Sequence, residues 1–187
     1  MTGFSLPQEA VICGKTYTLH TDFRDILEIF SYLERADLPE FIRWQVALAL
    51  FYQESVPREH FSEAVQYFTQ FINCAAPEGA GSGRKLLDWE RDAQMIVSEV
   101  NKVAGQEIRA LPFVHWWTFM AWFHAIGEGQ LSTVVSIREK LARGKKLEQW
   151  ERDYYRQNRE TIDLPRPESA QEQAYKQQLM EKLGLGR

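Results

Sequence analysis

Two pairs of side chains have residue types and spacings that could support chemistry. Asp88 and Asp92 stand four positions apart, so one helix face would carry both carboxylates, as an acid and base pair requires. The alternative places Asp88 in a first helical turn, where the helix dipole favours a negative charge. His115 and His124 fall on opposite sides of a predicted helix and form no motif with the other two histidines. The sequence therefore predicts no catalytic residue, no cofactor and no metal site.

Two further features could suggest nucleotide binding or redox chemistry. The glycine-rich run 76–85 ends in two basic residues, but Arg84 stands where a phosphate loop needs its second glycine. This run is predicted to be a linker. Cys13 and Cys74 have neither zinc-ligand spacing nor a disulfide framework, so both are expected to be small core or boundary residues. Without a recognisable nucleophile motif, the chain is predicted not to be an enzyme.

Several polar residues stand among large apolar side chains and would be buried with them. A buried polar group must be hydrogen-bonded, because leaving it unpaired costs free energy. Asp88 or Asp92, His115 and Arg138 are therefore predicted to form a hydrogen-bonded network between three helices. The role of this network would be structural.

Hydrophobic periodicity predicts a mainly α-helical protein, a compact helical domain of about six to seven helices with a short N-terminal β-hairpin and a C-terminal helical extension. Gly14 and Lys15 are predicted to form the hairpin turn. Residues 1–157 are expected to form one domain, and 158–187 a linker followed by a polar helix at about 170–183. The predicted helices of the domain are approximately 22–34, 40–52, 57–72, 88–104, 112–126, 132–141 and 147–157.

The aromatic block 111–126 is expected to be the central helix of the core. Pro112 suits a first helical turn, because its missing N–H is unbonded there in any case. The segment is apolar on nearly all sides, with only His115 and Thr118 forming a thin polar stripe. A membrane span needs about 20 apolar residues, and this block is shorter. A buried helix is therefore predicted.

The net charge of −4 is unevenly distributed along the chain. Segment 138–159 contains eight basic and four acidic residues, an excess of +4, so the remainder carries −8. Such a segment could bind nucleic acid or an acidic partner, although charge runs are more often solvated surface. Within it, Trp150, Tyr154 and Tyr155 have the composition of an interface and are candidate partner contacts. The alternative is that these aromatics pack into the protein's own core.

Four short motifs occur in order along the chain. They are Gly14 with Asp22-Phe23-Arg24, Asp88-Trp89-Glu90-Arg91-Asp92, His115-Trp116-Trp117-Thr118-Phe119, and Ile137-Arg138. In this order they resemble the phage tail protein family called gene product fifteen, over about residues 10–155. The matched residues are expected to have structural roles.

This family resembles the tail-assembly chaperones of long-tailed phages. The resemblance implies a non-catalytic protein of the host cytoplasm that binds the tape-measure protein and, as a second candidate partner, the tail-tube protein. It also implies a homo-oligomer, without membrane or nucleic acid as a partner. An alternative is a minor structural component of the virion, in the tail or at the head–tail joint. A third interpretation, nucleic-acid binding through 138–159, predicts an affinity that falls steeply with salt.

Overall fold

A computed structural model describes residues 5–75 and 85–164 of the chain. Within these ranges a two-stranded antiparallel hairpin precedes eight α-helices, which confirms the predicted fold class. The predicted linker, apart from Lys85, and the predicted C-terminal helix lie outside the described residues. The strands are β1 (Glu9–Ile12) and β2 (Lys15–Thr18). The helices are α1 (Phe23–Leu33), α2 (Glu40–Phe51), α3 (Phe61–Ile72), α4 (Ala93–Ala104), α5 (Trp116–His124), α6 (Gln130–Ala142), α7 (Gln149–Gln157) and α8 (Arg159–Ile162).

The hairpin turn is formed by Cys13 and Gly14, not by Gly14 and Lys15 as predicted. Lys15 is already paired with Ile12 in the ladder. A two-residue turn that matches the twist of its strands needs positive φ at both central positions. Cys13 and Gly14 have φ values of 48° and 78°, so the cysteine takes a conformation that glycine would adopt more easily. The strand side chains that face the helices, among them Ile12 and Tyr17, are fully buried.

Three helices begin four or five residues later than the sequence predicts. Helix α3 starts at Phe61, because Arg58–His60 form a 3₁₀ turn before it. Helix α4 starts at Ala93, because residues 89–92 form turns instead of a first helical turn. Helix α5 starts at Trp116, and the segment containing Pro112 is not helical. This segment pairs with the chain just before α1: the Phe23 N–H donates to the Val114 carbonyl at 2.9 Å. Tertiary pairing of the backbone thus overrides the local preference of proline for a helix start.

The extended linker predicted from residue 158 is wrong over the described part of that stretch. Residues Arg159–Ile162 form the short helix α8. Ile162 is 1% exposed and belongs to the hydrophobic core. Burial of this one apolar side chain brings α8 against α6, where most of its contacts lie.

Helix α5 is buried on one face rather than on all sides. Trp116 and Phe119 are each 1% exposed, whereas Ala121 and His124 are exposed. The stacked rings of Phe23 and Phe119, with centroids 4.7 Å apart, join α1 to α5 at the centre of the core. Among the described residues, no helix has the length and apolar character needed to cross a bilayer.

Candidate functional site

The Asp22-Phe23-Arg24 motif fixes the start of α1 to the segment before α5. One oxygen of the Asp22 carboxylate accepts the Arg24 N–H at 2.9 Å and caps α1. The other accepts the buried Val114 N–H at 2.9 Å. The Arg24 guanidinium pairs with the same carboxylate and donates to the carbonyls of Ile108 and Leu111 at 3.2 and 2.6 Å. Both oxygens of Asp22 and both terminal nitrogens of Arg24 therefore hold two chain segments together.

His115 caps α5 and reaches the N-terminal segment. Its Nδ1 accepts the Trp117 N–H at 3.0 Å, so the ring proton is on Nε2, which donates to the Pro7 carbonyl at 3.0 Å. The residue is only 2% exposed. Burial lowers the pKa of His115, and the bond to the Pro7 carbonyl opposes that shift. The imidazole is therefore a structural cap in its neutral form.

The two tryptophans that follow His115 bond to the C-terminal end of α3. Trp116 donates from Nε1 to the Ile72 carbonyl at 3.0 Å, and Trp117 donates to the Phe71 carbonyl at 2.8 Å. The last carbonyls of a helix have no partner within the helix, so these indoles supply donors to them. The Trp-Trp pair therefore docks α5 onto α3.

Asp92 and Arg138 form a second polar cluster, separate from the first. The Arg138 guanidinium donates from Nη1 and Nη2 to the two Asp92 oxygens at 2.6 and 2.9 Å. Asp88 joins the cluster through its backbone N–H, which donates to Asp92 at 3.0 Å. The Asp88 carboxylate accepts backbone N–H groups from Glu90 and Arg91. Ile137, beside Arg138, is fully buried in the core.

The predicted network is therefore only partly observed. Asp88, Asp92 and Arg138 are brought together, but the inclusion of His115 is wrong, because His115 bonds to backbone groups in the other cluster. The two aspartates also do not share a helix face, since both precede α4 and both carboxylates bond to neighbouring groups of the chain. Gly14, the first residue of the motif set, lies in the hairpin turn. In the described part of the chain, no group of three or more His, Cys, Asp or Glu side chains could hold a metal.

Acids from outside segment 138–159 neutralise half of its basic excess in the fold. Arg138 pairs with Asp92, and Arg159 pairs with Asp163 at 3.0 Å; both acids lie outside the segment. Further ion pairs within the segment are Lys140–Glu151, Arg143–Glu139 and Arg156–Asp153. What remains is a small cationic surface centred on the loop 144–148. This pattern does not favour the nucleic-acid interpretation, which needs a continuous basic surface.

The three aromatics of the predicted partner surface have different environments. Trp150 is 58% exposed, whereas Tyr154 and Tyr155 are half-buried and pack against the core. Tyr155 also donates its hydroxyl to Asp163 at 2.8 Å. Only Trp150 is thus free to contact a partner with most of its side chain. The two tyrosines instead fit the alternative interpretation, in which these aromatics pack into the protein's own core.

Sequence reasoning did not single out Glu151, which holds this region in place. Its side chain is 2% exposed, and it accepts from Lys140 at 2.6 Å and from the Glu148 N–H at 2.8 Å. The hydrogen bond from Lys140, followed by that from the backbone, lowers the pKa of Glu151. Glu151 is the third residue of α7, the glutamate position of a capping box, and this signal could have revealed it had the helix been predicted to start at Gln149.

Comparison with models of protein families shows to which family the chain belongs. The model of the family described as Bacteriophage Gp15 protein matches residues 5–164. The chain belongs to this family. The match confirms the resemblance found in the sequence motifs and extends it through α8. It places the chain among phage proteins that are associated with the virion and are not known as catalysts. No curated protein and no solved structure matches the chain.

Proposed function

We propose that this Gp15-family chain is a tail-assembly chaperone that binds the tape-measure protein during tail morphogenesis. The observation that carries the proposal is the family match, which includes every helix described above. By the resemblance to chaperones of long-tailed phages, such a protein coats a long helical chain before the tail tube forms around it. That task needs a surface that accepts amphipathic helices and does not need a catalytic centre.

The surface we propose for this contact is the corner between α6 and α7. Leu141 and Trp150 are 40% and 58% exposed there. The Lys140–Glu151 ion pair, at 2.6 Å, joins the residues next to them in sequence, so Leu141 and Trp150 both lie near the junction of the two helices. The connecting loop 144–148 adds two exposed lysines. An aromatic anchor with a cationic rim suits a helix that carries apolar and acidic side chains.

Weak contacts at this corner gain strength when they are repeated. A tape-measure chain offers many helical segments, and bound copies that also contact one another act with a high effective concentration. We therefore propose that the protein self-associates along its partner in the host cytoplasm. The tail-tube protein, which must later replace it, is the second partner in this scheme.

The test is co-expression with the long, helix-rich protein that serves as tape measure in the same phage. The long chain is expected to become soluble and to co-purify with the Gp15-family protein. Trp150→Ala should weaken this complex at least about tenfold, as expected for loss of an aromatic worth about 2 kcal/mol in an interface.

A matched control is Phe113→Ala, because Phe113 is an aromatic of similar exposure, at 50%, in the segment before α5. This variant should bind as the parent protein does. A tape measure that stays insoluble, with nothing co-purifying, would refute the chaperone function. Equal losses of binding in both variants would refute the proposed binding surface between α6 and α7, but not the chaperone function.

A minor structural component of the virion is the second candidate function. The association of the family with the virion favours it, since a chaperone leaves once the tail is complete. Mass spectrometry of purified particles separates the two functions. A chaperone should be absent from the particles, whereas a component of the tail or head–tail joint should be present in constant copy number.

A further inference from the structure

Helix α2 presents an uncharged face to solvent. Phe41 and Ile42 in its first turn are 46% and 38% exposed. Gln45 and Ala49 are exposed further along the helix, and Val46 between them is half-buried. With about 100° between successive residues, Ile42, Val46 and Ala49 fall on one side of the helix. Exposed apolar side chains with no charge among them are typical of the centre of a protein interface.

A groove runs along one edge of this face and has a volume of about 520 Å³. Leu48 and Tyr52, which are 2% and 1% exposed, lie at its base. Segment 53–61 forms the wall opposite α2. The rings of Phe41 and Phe61, with centroids 5.6 Å apart, join the two walls where α2 begins. The groove is therefore an apolar surface that the side chains of a second helix could fill.

Two charged side chains that line the groove have no ion-pair partner in residues 5–75 and 85–164. The Arg58 guanidinium lies 5.8 Å from the centroid of the Phe41 ring, where α2 begins. Glu54 follows the other end of α2, and its carboxylate accepts the N–H and the hydroxyl of Thr18 at 2.9 and 3.2 Å. Each charge is therefore available to an opposite charge on another molecule.

We propose that two copies of this chain pack their α2 helices antiparallel, face against face. A two-fold axis between Gln45 and Val46, perpendicular to both helices, brings Ile42 of each copy against Ala49 of the other. A small residue opposite a large one lets the two helices interdigitate. The same axis leaves both segments 53–61 on one side of the helix pair.

The charges at the two ends of the groove identify the second helix as another α2. In the antiparallel arrangement, Arg58 of each copy lies beside the end of α2 that carries Glu54 in the other copy. Both contacts join opposite charges, and the partial charges at the helix ends are complementary in the same way. Like charges do not meet at the centre, since Gln45 and its neighbours on this face are uncharged. The surface is thus self-complementary, as a two-fold interface requires.

The size of the face sets the strength of the dimer. Helix α2 has 12 residues, so it is about 18 Å long, and with its side chains it is about 10 Å wide. Such a face is smaller than the roughly 800 Å² per partner that stable complexes bury. We therefore expect a weak dimer that forms at high protein concentration.

Dimers would present two α6–α7 corners to one tape-measure chain. Two linked contacts act with a high effective concentration, so each corner can bind weakly and still contribute to a durable complex. This consequence rests on the proposed function, but the dimer itself does not, and it is tested on the chain alone.

Sedimentation equilibrium of the full-length protein at concentrations up to about 1 mM measures a dimer of this strength. Arg58→Glu and Glu54→Arg should each weaken it at least about tenfold, because each substitution makes both contacts between the copies repulsive. An equimolar mixture of the two variants should recover the dimer, since both contacts then join opposite charges again. Circular dichroism checks that each variant is folded. Failure of two folded variants to recover the dimer on mixing would overturn the proposed arrangement.

A matched pair of alanines shows which helix face forms the dimer. Ala49 and Ala121 are both exposed, one on α2 and the other on α5. Ala49→Asp should abolish the dimer by placing a carboxylate against Ile42 of the other copy, whereas Ala121→Asp should preserve it. A loss in Ala121→Asp alone, or equal losses in both variants, would overturn the assignment to α2. A parent protein that stays monomeric at every concentration would overturn the dimer, while the co-expression test of the chaperone function would be unaffected.

Discussion

Arg138 and Asp92 form a buried ion pair in which the side chains are only 4% and 1% exposed. All five N–H groups of the guanidinium are used: two bond to Asp92, and three to the carbonyls of Leu86, Thr161 and Ile162. One side chain of α6 thereby holds the start of α4, the segment before it and α8. Its effect on stability should be correspondingly large.

Replacing Arg138 with methionine should lower the free energy of unfolding by about 3–5 kcal/mol, because it leaves the Asp92 charge buried without a partner. Urea denaturation measures this change. Arg143→Met is the matched control on the same helix, since its ion pair with Glu139 has side chains that are 49% and 43% exposed. That control should change stability by less than about 1 kcal/mol. Equal effects of the two substitutions would contradict the role assigned to Arg138.

The sequence correctly predicted that Asp92 and Arg138 lie in one polar cluster, but it wrongly placed His115 with them. Asp92 and Arg138 are 46 positions apart, and each is a charged side chain that needs a charged partner once buried. His115 needs only a donor and an acceptor, and it finds both in backbone groups, at Trp117 and Pro7. Backbone groups occur at every position, so residue types carry no information about which of them will be the partner.

The same limit explains the errors in helix boundaries. The periodic apolar residues correctly predicted that α4 and α5 exist, because burial of one helix face depends on side chains. Where α5 begins depends on the backbone pairing of Val114 with Phe23, which no local pattern encodes. Helix α8 is one turn long and buries a single isoleucine, so it has no periodicity to detect. The exposed position of Trp150, in contrast to its two tyrosine neighbours, likewise depends on tertiary packing.

The neutral state of His115 should make stability depend on pH. Burial lowers the pKa of this histidine in the folded protein, so the unfolded chain binds the proton more readily. The contribution of His115 is therefore complete above the unfolded pKa of about 6.5, and it is lost as the pH falls towards the lower folded value. A protonated ring would also direct an N–H at the Trp117 N–H, its present donor. We expect the free energy of unfolding to fall between about pH 7.5 and pH 5.5.

His115→Asn provides the control for this pH dependence. Asparagine keeps an oxygen that can accept the Trp117 N–H as a helix cap, but it does not titrate. The variant should be less stable at neutral pH, because the bond to Pro7 is lost. Its unfolding free energy should vary less with pH over the same range, while the other three histidines contribute equally to both proteins. Identical pH profiles for variant and parent would show that His115 is not the group responsible.

The approach of Gly129 to Glu99 predicts a steric requirement at the start of α6. A Cβ on Gly129 would lie 2.7 Å from Oε1 of Glu99, well inside van der Waals contact. Glu99 is 7% exposed, and its carboxylate bonds to Lys102 at 3.0 Å, so it has little room to move. Gly129→Ala should therefore lower the free energy of unfolding by roughly 1 kcal/mol, the low end for overpacked sites, because the obstacle is the end of a side chain. Thermal and urea denaturation both measure this loss.

The conformation of Gly129 does not by itself require glycine, since its φ of 179° is extended backbone that any residue adopts. A loss of stability in Gly129→Ala must then come from the contact with Glu99. Gly127→Ala is the control, because a Cβ there meets nothing within 4 Å, and it should change stability by less than about 0.5 kcal/mol. In a Glu99→Ala background, Gly129→Ala should cost less than in the parent by at least about 0.5 kcal/mol, since the two residues are in contact. An unchanged cost in that background would mean that the carboxylate is not the obstacle.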